Sequence, residues 1–381
     1  MRLRTMLRAI GFVMIGFGLV AASSNFANAQ SVPGSKRDLD FDAYMKTVDL
    51  DDPSLNLVYK KPTSDGSSIG VFIAQGDKPA DASFVPTNTS SIPEAEVVAY
   101  RLARFLGVSR IYYPVGYYTL GAGATARFRD MVFGTPEVTN DRIANRKMVM
   151  KELKASPNAI FGIYRQKPKT KMYAAGGLGS QGQFNLRSPL ARVMTAAGPM
   201  PDDEMMALEG AKGGRPDFPM QPTERKVELA RQLSIIFTID QLLGQWDRFW
   251  ENLEATGDKN GRLKLVARDN GGATFDDWDD FETYNRWVSR YDREVIERLT
   301  ALYAFLNGES QEFSGFTSLD AWKDAVGFIA PTSFAAFREK LTLLIEKRIT
   351  KLVEQYGDET FFPPKSPEVI ELDATDTGED D

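Results

Sequence analysis

The stretch GQWDRFWENLEA, residues 244–255, decides how the rest of the sequence is interpreted. It follows TERKVELARQLSIIFTIDQLL (223–243), a pattern that begins with charged residues and becomes the pattern of a buried helix. Directly after this helix the stretch places Asp247 and Arg248 between two tryptophans, and Asn252 follows Asp247 by five residues. A carboxylate and an amide at this spacing, next to a buried helix, form the first candidate site.

A second acidic loop follows after a turn and one strand. DKNG (258–261) is a turn signal, RLKLVAR (262–268) is a predicted strand, and the strand ends in the loop DNGG (269–272). Phosphoryl-transfer enzymes of the protein-kinase type use a loop Asp, an Asn five residues later and a second Asp after a strand. In such a site Asp247 orients the acceptor hydroxyl and takes its proton, while Asn252 and Asp269 hold Mg²⁺ or Mn²⁺ on the nucleotide phosphates.

The composition excludes several other kinds of site. The sequence contains no cysteine, which rules out disulfides, a thiol nucleophile and Cys-ligated metals. It contains no histidine, which rules out a Ser-His-Asp hydrolase, a histidine general base and a His-ligated zinc site. Any catalysis must therefore use carboxylates, amides, lysine, hydroxyls or a hard metal ion.

Residues 1–29 have the form of a secretory signal peptide. MRLRTMLR (1–8) is basic, the following apolar run is about 14 residues long, and Ala27-Asn28-Ala29 is a small-x-small cleavage site. A membrane span needs roughly 20 apolar residues, so we expect cleavage before Gln30 and no membrane span afterwards. We expect an exported protein, periplasmic or extracellular.

The remaining chain is acidic. The first 29 residues hold three of the 46 basic residues and no acidic one, which leaves 43 basic against 52 acidic residues and a net charge of −9. This charge argues against nucleic acid or anionic lipid as the main partner.

Upstream of the two acidic loops the pattern alternates between strands and helices. Residues 51–77 read as a hairpin, and EAEVVAYRLARFLGV (94–108) reads as a helix with a capping box. RIYYPVGYYTLG (110–121) reads as a further strand pair, and 140–222 as mostly irregular structure with one or two helices. Residues 292–356 have helical periodicity.

The motif Phe237-x-Ile239-Asp240-x-Leu242-x-Gly244-x-x-Asp247-Arg248, followed by a strand and Asp269-Asn270-Gly271, resembles the secretory-pathway atypical kinases typified by the Golgi casein kinase. More distantly it resembles HipA-type kinases and the type II phosphatidylinositol kinases. The resemblance implies an α+β, two-lobed, protein-kinase-like fold with a small antiparallel-sheet N-lobe and a mainly helical C-lobe. The expected divisions are an N-lobe over 30–139, a C-lobe over 140–357 and an acidic disordered tail over 358–381.

The resemblance also implies a nucleotide, ATP or another, and a hydroxyl-bearing acceptor that is a protein, lipid or sugar. In the family a glutamate of the N-lobe helix supports the ATP-binding lysine. Glu96 is the better candidate here and Glu94 the lesser one. The strand before this helix presents Ile73 and Ala74 where relatives carry the ATP-binding lysine. Two other lysines are therefore candidates for this role: Lys60 from the paired strand and Lys78 from the loop.

Several alternatives accompany this interpretation. ATP is scarce outside the cytoplasm, where an exported kinase would act. The rival interpretation is therefore a catalytically inactive exported pseudokinase, which acts as a binding module for a protein partner. A hydrolase built on the carboxylates Asp247 and Asp269 is a third. Four further features have simpler interpretations: Glu96 as a solvent-facing residue, the tryptophans as packing groups, 276–282 as a solvated acidic loop and the basic run 165–171 as an exposed loop.

Overall fold

The computed structural model describes most of the chain after the predicted signal peptide. The described residues are 32–60, 69–76, 78, 80–88, 92–135, 140–166, 172–174, 179–180, 183–184, 189–200, 223–248, 252–257 and 263–365. The predicted signal peptide lies outside them, as does 366–381 of the predicted tail.

Strands and helices alternate in the first half of the chain, and helices dominate the second half. The strands are β1 Leu55–Tyr59, β2 Val71–Gln75, β3 Ala82–Pro86, β4 Val115–Leu120, β5 Ile160–Gln166, β6 Met172–Ala174, β7 Gly179–Ser180, β8 Gln183–Phe184, β9 Leu253–Gly257 and β10 Leu263–Ala267. The helices are α1 Lys36–Met45, α2 Pro93–Phe105, α3 Ala122–Gly134, α4 Asn140–Ala155, α5 Pro189–Thr195, α6 Thr223–Leu243, α7 Trp278–Trp287, α8 Arg293–Leu306, α9 Leu319–Val326, α10 Pro331–Leu343 and α11 Thr350–Tyr356. A π-helical turn, Leu344–Ile349, joins α10 to α11.

Five antiparallel strands form the main sheet in the order β1-β2-β3-β5-β4. Strands β1 and β2 are the predicted hairpin, with Leu57 opposite Ile73. The close pairing of β5 with β3 depends on Gly162, because a Cβ there would lie 2.4 Å from the carbonyl oxygen of Val85. Beside this sheet stand a three-stranded sheet, β10-β9-β6, and the short pair β7-β8.

The two halves of the fold meet at α2, which is buried along nearly its whole length. It contacts β4 and β5 of the main sheet, and it also contacts α6 and the short 3₁₀ turn Asn270–Gly272. The backbone N–H of Ile92, just before α2, donates to the carbonyl oxygen of Gly271 at 2.8 Å. The predicted kinase-like α+β order is therefore confirmed: a small antiparallel sheet, one buried helix, and a mainly helical second part.

Three boundaries differ from the prediction. The sheet-bearing part does not end at 139, because β5 at 160–166 inserts between β3 and β4. The predicted strand pair at 110–121 is one 3₁₀ turn, Ser109–Ile111, followed by the single strand β4. Residues 140–166, predicted to be mostly irregular, are helix α4 and a central strand, since the apolar run in IFGIYRQ is a strand buried on both faces.

The start of the predicted disordered tail is wrong as well. Residues Gly357–Thr360 form a 3₁₀ turn, and Phe362 is only 3% exposed. Arg231 holds this segment, because its guanidinium donates to the carbonyl oxygen of Pro363 at 2.6 Å and lies over the ring of Phe362. The packed chain therefore continues past the predicted boundary at 358.

Among the residues that the structure describes, no helix combines the length and the apolar character that a membrane span requires.

Candidate active site

The first loop of the site begins where helix α6 ends. Gly244 has φ = 70°, a left-handed conformation that glycine adopts without strain, and this reverses the chain after α6. A Cβ at this position would also lie 2.8 Å from Nζ of Lys340. The reversal brings Gln245 back so that its side-chain oxygen accepts the backbone N–H of Asp247 at 2.8 Å.

Arg248 is a structural clamp behind this loop. Its guanidinium makes two bonds to the carboxylate of Asp240, at 2.8 and 2.9 Å. It also donates to the carbonyl oxygens of Asn252 and Arg268 and to Oδ1 of Asn270, at 2.8, 2.6 and 2.6 Å. One buried side chain thus fixes the end of α6, the Asp247 loop and the second acidic loop relative to one another.

Burial and the partner's charge act in opposite directions on each member of this buried pair. Burial opposes the charge on Arg248, but the adjacent Asp240 outweighs it and raises the pKa of Arg248. Burial raises the pKa of Asp240, and the charge and hydrogen bonds of Arg248 act in the opposite direction. Arg248, next to Asp247 in the sequence, holds the two loops together from behind.

The predicted pair of Asp247 and Asn252 is in direct contact. Nδ2 of Asn252 donates to the carbonyl oxygen of Asp247 at 2.6 Å and to its carboxylate at 3.2 Å. The backbone carbonyl of Asn252 accepts the N–H of Arg268 at 3.0 Å, which joins this loop to the end of β10. With Nδ2 held by Asp247, no donor among the described residues bonds Oδ1 of Asn252.

Asp269 follows β10 in a left-handed conformation, φ = 54° and ψ = 51°, which is uncommon for a residue with a side chain. Its carbonyl oxygen accepts Nε2 of Gln245 at 3.2 Å, so that a single glutamine positions both acidic loops. The loops approach so closely that a Cβ on Gly272 would lie 2.6 Å from Cβ of Asp247. The structure therefore brings together the three residues Asp247, Asn252 and Asp269, as the sequence predicted.

The carboxylate of Asp269 is ionised by its surroundings. Burial favours the neutral acid, but Arg165, Lys60 and Arg268 outweigh it and lower the pKa of Asp269. The side chain keeps 34% of its surface exposed, and Arg165 lies 3.5 Å from Oδ1. This is an accessible anion surrounded by cations.

Glu96 faces the same cluster from α2. It is 1% exposed, which excludes the solvent-facing interpretation. One carboxylate oxygen pairs with Arg165, and the other accepts Nδ2 of Asn270 at 3.3 Å. Its ion-pair partner is thus an arginine of β5, where the sequence predicted a lysine.

The sequence did not single out Arg165 as part of the site. Residue 165 was assigned to an exposed basic run, yet it lies within β5, opposite Ser83 of β3, and its side chain is mostly buried. The signal available in the sequence was IFGIYRQ, an apolar strand pattern that carries a single arginine. Residues 167–171 of the basic run lie outside the described part of the chain.

The two candidate lysines have different surroundings. Lys60 directly follows β1 and is partly buried, and its backbone N–H donates to the carbonyl oxygen of Gly70 at 3.0 Å. Burial lowers the pKa of Lys60, and the charge of Asp269 opposes this shift, so that the lysine is within electrostatic reach of the site. Lys78 is exposed in the β2–β3 turn, and among the described residues it makes no ion pair.

Glu94, the lesser candidate, has a structural role. Its carboxylate accepts the backbone N–H groups of Ile329 and Ala330, at 2.8 and 3.1 Å, and the hydroxyl of Ser333 at 3.1 Å. These are the donors at the start of α10, which makes Glu94 the cap of that helix.

Of the other acidic residues in the region, Asp277 has a structural role, and Trp246 does not fit the interpretation of the tryptophans as packing groups. Asp277 caps α7 by accepting the N–H of Asp280 at 3.0 Å. No group of three or more carboxylates able to hold a metal is present in the described ranges. Trp246, next to Asp247, is 38% exposed, while Phe249 and Trp250 lie outside the described residues.

Comparison with known proteins gives matches at the level of structure only. No family model and no curated protein matches the sequence. Among solved structures the chain is similar to the Golgi casein kinase, with 14% identity, 84% of this chain and 78% of that chain covered, and a TM-score of 0.47. It is also similar to a complex of HipA, HipB and operator DNA from Shewanella oneidensis, with 11% identity, coverage of 87% and 72%, and a TM-score of 0.28.

Proposed function

We propose that this protein is a kinase-like phosphotransferase that moves a phosphoryl group from a nucleotide to a hydroxyl acceptor with Mg²⁺ or Mn²⁺. The observation that carries the proposal is the hydrogen-bonded pair of Asp247 and Asn252, which one glutamine joins to Asp269. Phosphoryl transfer requires mainly positioning and charge stabilisation, which carboxylates, amides and cations supply without histidine or cysteine. A carboxylate-pair hydrolase would leave Asn252 and Glu96 without a role.

Asp247 is the proposed catalytic base. Its backbone is fixed by Gln245 and its carboxylate by the amide of Asn252, at 2.8 and 3.2 Å. A carboxylate held in this way orients the acceptor hydroxyl and accepts its proton as the hydroxyl oxygen bonds to phosphorus and the bond from phosphorus to the departing nucleoside diphosphate breaks.

The residues present suit a hard divalent cation. Oδ1 of Asn252 and the carboxylate of Asp269 are oxygen ligands of the kind that Mg²⁺ and Mn²⁺ prefer, and the lowered pKa of Asp269 keeps it charged. When bound, such a metal neutralises negative charge on the phosphates. Asn252 and Asp269 would hold it.

The rival function is a non-catalytic pseudokinase that binds a protein partner. One observation favours it: neither β2, which carries Ile73 and Ala74, nor β3 contains a lysine, and Glu96 pairs with an arginine instead. The two functions differ in one measurable respect, because a pseudokinase would not turn over nucleotide.

The test is thermal unfolding of the full chain with ATP and Mg²⁺ or Mn²⁺, followed by an assay of ADP release. A ligand that binds only the folded state, at 100 times its dissociation constant, adds about 2.7 kcal/mol to stability. We expect a metal-dependent stabilisation that Asp269→Ala removes. Asp247→Asn should keep the stabilisation and lose ADP release. Stabilisation without ADP release by the wild type would favour the pseudokinase, and no stabilisation with several nucleotides and both metals would refute the nucleotide site.

We also propose that the protein acts after export, on the basis of the signal-peptide pattern of residues 1–29. N-terminal sequencing of the protein recovered from outside the cytoplasm should begin at Gln30. A product that keeps residues 1–29 would refute cleavage.

A further inference from the structure

The cation that binds phosphate in a kinase-like cleft has no obvious position in this chain. The family resemblance predicts this cation at Ile73 or Ala74 of β2, but neither β2 nor the next strand, β3, contains a lysine or an arginine. Two cations approach from other strands: Arg165 lies on β5 opposite Ser83, and Lys60 directly follows β1. Val58, two residues before Lys60, lies opposite Phe72, which lies opposite Ser83, so position 60 continues the sheet face that carries Arg165.

Arg165 is held in place and still has a donor to offer. Its Nη2 pairs with Glu96 and lies 3.5 Å from Asp269. Its Nε is buried and has no hydrogen-bond partner within the described part of the chain. A guanidinium with one side fixed by a carboxylate presents its other N–H groups in a planar arrangement suited to phosphate oxygens.

Lys60 supplies positive charge without forming an ion pair in the described part of the chain. It is partly buried, and among the described residues no carboxylate lies within ion-pair distance of its Nζ. Arg268, the third cation near Asp269, is already paired with Glu254. Keeping an unpaired ammonium group partly buried costs free energy, and an anionic ligand would recover it.

We propose that Lys60 and Arg165 together bind the phosphate groups of the phosphoryl donor beside Asp269, and so replace the single lysine that β2 and β3 lack. The inference rests on the proposed function for the identity of the ligand as a nucleoside triphosphate. Lys60 contributes a point charge, and Arg165 contributes oriented donors that Glu96 positions. Lys78, exposed in the β2–β3 turn, has no part in this binding.

The experiment is calorimetric titration of the full chain with three probes in the presence of Mn²⁺: ATP, inorganic tripolyphosphate and adenosine. Loss of one charged hydrogen bond corresponds to about a 10- to 100-fold loss of affinity. We expect Lys60→Met to lose this much affinity for ATP and for tripolyphosphate, and to bind adenosine as the wild type does. The matched control is Lys147→Met, which changes an exposed lysine of α4 and should alter none of the three affinities.

Arg165 is buried, so its variants need a folding control. Arg165→Lys keeps the charge but loses the planar arrangement of donors, and we expect intermediate ATP affinity at an unchanged unfolding temperature. If Arg165 variants unfold, Lys60→Met alone carries the test.

The outcomes separate this inference from the proposed function. The inference would be overturned if Lys60→Met bound ATP and tripolyphosphate as the wild type does, or if Lys78→Met lost this binding instead. In either case, ADP release by the wild type would still support the proposed function. Binding of tripolyphosphate that depends on Lys60, without ADP release, would support the phosphate site and refute catalysis. A wild type that binds neither phosphate probe would refute both.

Discussion

Asn252 donates its side-chain amide to the backbone carbonyl and to the carboxylate of Asp247, at 2.6 and 3.2 Å. The interaction is local, since the two residues are five positions apart, and it fixes both partners at once. Asp247 gains a defined orientation, and Asn252 is left with its oxygen as the remaining polar atom. In the proposed mechanism Asp247 orients the acceptor hydroxyl, and Asn252 binds the metal ion.

Asn252→Ala should therefore strongly lower the rate of phosphoryl transfer and have a smaller effect on the free energy of unfolding. It removes the donor that orients Asp247 and one proposed metal ligand, so we expect ADP release from ATP to fall by about 10²- to 10⁴-fold. The matched control is Asn307→Ala, which removes an exposed bond to Arg338 of 2.9 Å and should leave the rate unchanged. Rates within twofold of the wild type for Asn252→Ala would contradict the assigned role.

The buried pair of Arg248 and Asp240 should dominate the stability of the site. Asp240→Asn leaves the guanidinium of Arg248 buried without its counter-charge, which costs about 3–5 kcal/mol. Denaturant unfolding measures this cost directly. The control is Asp130→Asn, because the Arg129–Asp130 pair is exposed on both sides and such pairs contribute about 0–1 kcal/mol. Similar small costs for the two variants would show that Arg248 is not the clamp we describe.

The local parts of the site could be predicted from the sequence. The spacing of Asp247 and Asn252, and the loop at Asp269, depend on short-range turn and strand signals, and the structure brings all three residues together. Arg165 could not be found in this way, because its contact with Glu96 joins residues 69 positions apart. A single sequence carries no direct signal for such a contact, and the adjacent basic run favoured a loop.

The same distinction applies to the fold. The β1–β2 hairpin and helices α2 and α6 were predicted correctly, because each has a strong periodic pattern or a turn of its own. Strand β5 was missed, since its place between β3 and β4 is set by pairing with strands distant in the sequence. The segment around Phe362 was missed for a similar reason: its acidic composition suggests disorder, but Arg231 anchors it.

Asp38 should make the protein sensitive to acid. Burial raises the pKa of this carboxyl, but the charge of Arg37 and hydrogen bonds from Ser109, Tyr100 and Ser35 outweigh burial and bring it to about 2. A folded-state pKa below the unfolded value of 3.8 means that the stabilisation is present above about pH 4 and is lost as the pH falls towards 2. The shift corresponds to about 2 kcal/mol.

The measurement is the free energy of unfolding at pH 5 and pH 2.5 for the wild type and for Asp38→Asn. The variant should be less stable at pH 5, and the gap should narrow at pH 2.5. Asp40→Asn, which alters an exposed residue of the same helix paired with Lys36, serves as the control. Parallel pH profiles for wild type and Asp38→Asn would rule out this role for Asp38.

Lys340 should produce a second rise of stability with pH, in the alkaline range. It is fully buried below the Asp247 loop, where Nζ donates to the carbonyl oxygen of Asp277 at 2.9 Å. Burial lowers its pKa to about 8, against an ordinary 10.5, although Asp277, Asp276 and Asp280 act in the opposite direction. Between these two values the unfolded chain holds a proton that the folded chain has released, so stability rises with pH across this window.

The expected rise from this one group is about 3 kcal/mol between pH 8 and pH 10.5. It should disappear in Lys340→Met and remain in Lys351→Met, which alters an exposed lysine of α11. The measurement is the change in the free energy of unfolding between pH 7.5 and pH 10 for the wild type and both variants. Tyrosine titration contributes equally to all three proteins, so it cancels when these changes are compared. Equal slopes in Lys340→Met and the wild type would mean that the ammonium group stays charged in the folded state, and that Asp276, Asp277 and Asp280 outweigh its burial.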